Sequence, residues 1–166
     1  MKTLFYNSIF VLLLLGCDKT DNVKSMSNYL DSSLDISFVN EKGEDLLSKS
    51  TENFIEANKI RIFIIMEDDT KKYLYDSNWD SPNHTLLYFN DRISKNMLRI
   101  FPNDAFMKET ISYIEFGNGD IDTIRCLNAV DENTIFFRTD TVYYNKIMVM
   151  DRFSAIKSEN YITIKK

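Results

Sequence analysis

One histidine, two cysteines and 25 acidic residues are the raw material for chemistry in this 166-residue chain. With His84 as the sole imidazole, a paired-histidine zinc or non-haem iron site is excluded. As a general base His84 would need a serine and an aspartate, and no nucleophile elbow surrounds any serine. Cys17 and Cys126 lie too far apart in sequence for a CxxC redox centre, a zinc ribbon or a disulfide scaffold. Cys126 shares a strand face with Ile124, so it reads as a small buried hydrophobe whose thiol pKa is raised by apolar neighbours. Asn118, Asp120 and Asp122 set three oxygen donors at alternate positions, the spacing with which calcium loops surround a hard cation. Gly119 falls between the first two donors, however, and Ala129 stands where a closing carboxylate belongs. The expectation there is a glycine-rich hairpin with acidic flanks and no metal. Close carboxylate pairs, which a small hydrolase would use, are inevitable among so many acids and belong mostly to a solvated face. No catalytic residue and no cofactor is expected.

Trp79 is the other residue singled out by its setting. It stands in the polar loop Ser77-Asn78-Trp79-Asp80-Ser81, near Tyr73, Tyr75, Tyr88 and His84 in sequence. An exposed ring of this kind stacks on a sugar or anchors a protein partner. A ring folded back would instead plug the end of the domain, and a lone tryptophan in a small domain is expected to be substantially buried.

Composition narrows the partners. The net charge is −5 and no basic stripe interrupts it, so nucleic acid is not an expected partner. The chain suffices for one domain with a sizeable core.

The first 17 residues carry an address. Lys2 supplies a positive start, and Leu4 to Leu15 form an apolar run too short to span a bilayer as a helix. Leu14-Leu15-Gly16-Cys17 then resembles the lipobox of bacterial lipoproteins, with Leu15 bulkier than the residue often found there. The resemblance implies cleavage after Gly16, a diacylglycerol on the Cys17 thiol and an acylated (palmitate-type) amine. An ordinary secretory signal with an incidental cysteine is the plainer alternative. Lipidation implies membrane attachment in the cell envelope, at the outer rather than the inner membrane, since more than one acyl chain anchors stably. Asp18 and Asp21 are mixed with Lys19, which leaves the leaflet open.

These features divide the chain into a signal peptide (1–16), a lipidated cysteine with a polar, aperiodic tether (17–33) and one domain (34–166). The domain reads as an all-β antiparallel sandwich of nine to ten short strands. Leu34, Ile36 and Phe38 alternate with Asp35 and Ser37. Ile60 to Met66 is apolar on both faces and predicts a central strand covered on two sides. Further strands are predicted at Lys72 to Tyr75, His84 to Phe89, Met97 to Phe101, Ile111 to Phe116, Ile121 to Leu127, Thr134 to Arg138, Val142 to Tyr144, Ile147 to Val149 and Tyr161 to Ile164. Gly117-Asn118-Gly119-Asp120 predicts a tight turn, and Asn145-Lys146 a two-residue hairpin despite lysine where glycine is usual. Asp104 to Glu109 predicts one helical turn, capped by Asn103 or Asp104.

Four runs carry a wider resemblance: Gly43-Glu44-Asp45-Leu46-Leu47, the stretch from Tyr75 to Pro82, Arg99-Ile100-Phe101-Pro102-Asn103, and the stretch from Phe116 to Cys126. Tyr144-Asn145-Lys146 adds to them. Together they resemble a group of small Bacteroidetes lipoproteins. The resemblance implies an immunoglobulin-like β fold and an envelope location, and it brings no functional residues with it. Three functions follow as expectations: a non-enzymatic, lipid-anchored binding or structural module; an accessory glycan binder using Trp79, Tyr73, Tyr75 and Tyr88; or a small carboxylate-dependent hydrolase.

Overall fold

The computed structural model describes residues 29–78, 80, 82–102, 107–131, 136–153 and 161–166, so Gly16, Cys17, Trp79 and the predicted cap at Asn103 or Asp104 lie outside the described residues. The fold is a β-sandwich. Sheet A holds β1 (Tyr29–Asp31), β3 (Arg61–Ile65), β4 (Lys71–Tyr73), β7 (Glu109–Glu115), β8 (Ile121–Asp131), β9 (Phe136–Tyr144) and β10 (Ile147–Asp151). Sheet B holds β2 (Leu34–Val39), β5 (Thr85–Asn90), β6 (Lys95–Ile100) and β11 (Ile162–Lys165). The one helical element among the described residues is a 3-10 turn, Ala57–Lys59.

Alternation decides which residues meet between the sheets. Leu34, Ile36 and Phe38 of β2 face Ile62, Ile114, Ile124 and Val142 of sheet A across one core. Phe38 packs edge-on against Phe116 at 5.6 Å. Burying each such side chain contributes about 1.5 to 3 kcal/mol.

The structure departs from the sequence expectations in five places. Tyr29–Asp31, read as the end of the tether, is a strand paired in parallel with Phe136–Arg138 of β9. β11 also pairs in parallel, with β2, so the sandwich is not wholly antiparallel. The two strands predicted around Thr134 to Tyr144 are one continuous β9 over its described span. Ile60 to Met66 has a second sheet on one face only among the described residues, and on the other face Phe63, 2% exposed, is packed by Tyr73, Tyr113 and Lys71. Glu109, predicted as helical, begins β7.

Both predicted turns are present. Asn145 and Lys146 both take positive φ (47° and 71°), the backbone of a type I′ hairpin. Gly119 supplies φ 84° between β7 and β8.

Candidate functional site

The groove lies at one end of the sandwich, where three turns converge. The first follows β2. The Asn40 Oδ1 accepts from the N–H groups of Lys42 (2.9 Å) and Glu44 (3.0 Å). Asp45 ties the next stretch to sheet B, its Oδ2 accepting from Asn96 N–H and Nδ2 at 2.8 Å each. The second wall runs from Asn53 to Lys59, fixed by Ile55 N–H donating to Leu46 O (2.7 Å). The third is the β7–β8 turn, closed by Phe116 N–H to Asp120 O (2.9 Å) and Gly119 N–H to Phe116 O (2.8 Å). Gly117 is required there, because a Cβ would stand 2.8 Å from Lys59 Cβ.

Two adjoining clefts, about 350 Å³ and about 480 Å³, occupy the space between these walls and share Asn53, Ile55, Asn118, Asp120 and Lys166. The rim carries Glu41, Glu44, Glu52, Glu56 and Asp120 against Lys42, Lys59 and Lys166. Two of those lysines are already paired, Lys59 with Glu56 at 2.7 Å and Lys166 with Asp120 at 2.5 Å.

Beneath the groove sits a buried polar cluster. Asp122 points inward on the same face as Ile124 and Cys126, where a carboxylate must be paired. Its Oδ2 accepts from Lys166 Nζ (2.7 Å) and from the Tyr144 hydroxyl; its Oδ1 accepts from Asn145 Nδ2 (2.6 Å). Burial alone raises the Asp122 pKa, but the bonds from Lys166, Tyr144 and Asn145 outweigh it and hold the carboxyl below its ordinary value. Burial and then Asp122 push the Tyr144 phenol far upward. Lys166 Nζ also lies 3.8 Å from the Phe116 ring centroid, a cation–π contact.

The calcium-like triplet is thus divided. Asp120 and Asp122 converge on a cation, and that cation is the Lys166 ammonium. Asn118 turns its Oδ1 to the Asp120 N–H at 3.0 Å. Among the described residues no group of three His, Cys, Asp or Glu side chains could hold a metal ion.

The tyrosines read as one platform are separated. Tyr73 lies on the open face of sheet A, its hydroxyl donating to Glu115 at 2.8 Å, and Tyr75 beyond it is 64% exposed. Tyr88 lies on the outer face of sheet B, opposite Met97, with Arg99 5.3 Å from its ring centroid. On sheet A, Phe63 and Tyr113 stack on one another at 5.0 Å and Lys71 Nζ sits 4.5 Å from the Phe63 centroid, while Tyr73 is 45% exposed. His84 is buried, with Nδ1 3.3 Å from the Phe101 carbonyl. Cys126 is buried too, and its thiol is pushed up to about 12 by burial.

Lys166, Tyr144 and Asn145 were not singled out in the sequence as site residues. They lie far from Asp122 along the chain, and no spacing rule links them. The available signal was Asp122 itself, a charge at an inward position of an alternating strand.

Comparison with protein-family models, curated proteins and solved structures finds no match.

Proposed function

We propose that this chain is a lipid-anchored envelope protein whose β-sandwich works as a non-enzymatic binding or structural module. In this reading it belongs with the small immunoglobulin-like lipoproteins it resembles. The observation that carries the proposal is the direction of β1. Because β1 runs parallel to β9 from Phe136, the chain enters sheet A at the end of β9 remote from Tyr144 and the groove. β8 separates the two poles by about 33 Å, at roughly 3.3 Å per residue. A lipid at Cys17 would therefore tether the domain from the pole opposite the groove and leave the groove clear of the attachment point. Residues 18–28 would reach at most about 37 Å.

The glycan reading is weakened as a single platform, because Tyr73 and Tyr75 lie on the side of sheet A and Tyr88 on the outer face of sheet B. The hydrolase reading is disfavoured by Asp122, whose two oxygens are both occupied. Membrane fractionation of wild type and Cys17→Ser tests the anchor. The wild type is expected in the membrane fraction and the variant as uncleaved precursor. A normally processed, soluble variant would refute the proposal.

A further inference from the structure

We infer that the groove binds an extended segment of a protein partner that carries lysine or arginine beside an apolar side chain; this rests on the binding-module reading and names its ligand class. The first reason is charge complementarity. Five carboxylates line the rim, Glu41, Glu44, Glu52, Glu56 and Asp120, against three lysines, Lys42, Lys59 and Lys166, so an acidic excess remains after the pairs of Lys59 and Lys166 are counted. An anionic ligand is repelled and a cationic one is steered in.

The second reason is the way this pole already holds an ammonium. Lys166 Nζ lies between Asp120 and Asp122 and against the Phe116 ring. The third reason is the apolar part of the lining. Phe54 is 38% exposed beside half-buried Ile55, and Asn53 offers an amide. A polyamine would have no use for either, whereas a peptide has apolar side chains and backbone groups to match both.

The test is fluorescence anisotropy on the full-length protein extracted in nonionic detergent. The probe is a fluorescein-labelled nonapeptide with three lysines, one phenylalanine and otherwise serine and glycine. Saturable binding is expected, weakening about tenfold in Glu44→Gln/Glu52→Gln and about fivefold in Phe54→Ala. Glu67→Gln/Asp69→Asn removes the same charge from the turn after β3, at the opposite pole, and should bind within about twofold of wild type. Equal weakening by that control pair would reduce the effect to net charge and overturn the inference. So would absence of binding, wild-type affinity in Phe54→Ala, or spermidine competing as well as the unlabelled peptide. Membrane-held protein that ignores the peptide refutes this inference alone. A peptide-binding protein that fractionates as soluble supports it and refutes the anchor.

Discussion

Lys166→Met keeps an apolar stem over Phe116 and removes the ammonium between Asp120 and Asp122. Asp122 is the partner that matters, since its side chain is 8% exposed against 51% for Asp120. Breaking a buried pair by deleting one partner costs about 3 to 5 kcal/mol. Asp122 keeps its bonds from Tyr144 and Asn145, and Lys166 is itself 20% exposed, so a loss just below that range, about 2 to 3 kcal/mol, is expected. At this chain length that is roughly 5 to 10 °C in Tm. The loss should depend on pH. A carboxyl held below its unfolded value stabilises the fold above the unfolded pKa, about 3.9, and the contribution fades as pH falls through the lower folded value. Thermal melts of both proteins at about pH 7 and about pH 3 read this directly. A wide gap at the higher pH that narrows at the lower is expected. Matching melts at neutral pH, or a gap unchanged in acid, would refute the reasoning.

Ile62→Asp should prevent folding, because Ile62 is buried among the apolar side chains of the core; retained sheet signal in circular dichroism would contradict this. Native Cys126 should resist iodoacetamide at neutral pH and label fully in denaturant, since its thiol is both buried and raised to about 12. Gly117→Ala should cost about 1 to 3 kcal/mol in urea melts, as the new methyl meets the Lys59 stem; an unchanged midpoint would show that the stem simply moves aside.

Much of the fold was legible because period two is a local signal. Leu34, Ile36 and Phe38 mark one face of β2 without reference to anything else. Asn145-Lys146 is equally local, and its two positive φ values follow from the hairpin, not from the residue types. The parallel pairings of β1 and β11 were not legible. Tyr29–Asp31 is three residues long and joins β9 more than a hundred positions away, with no periodicity to betray it. The groove was hidden for the same reason. Asn118, Asp120 and Asp122 announce oxygen donors, but the cation that Asp120 and Asp122 meet comes from Lys166, just past β11 of the other sheet. Phe63 misled in a different way. Apolar residues on both faces suggest two covering layers, and neighbouring rings achieved the same burial sideways.

The most direct test of the account is the intact mass of the protein recovered from the membrane fraction. A chain beginning at Cys17, heavier than its amino acids by a diacylglycerol and an acyl group, is expected. A mature chain bearing a bare Cys17 thiol, or one still beginning at Met1, would contradict it.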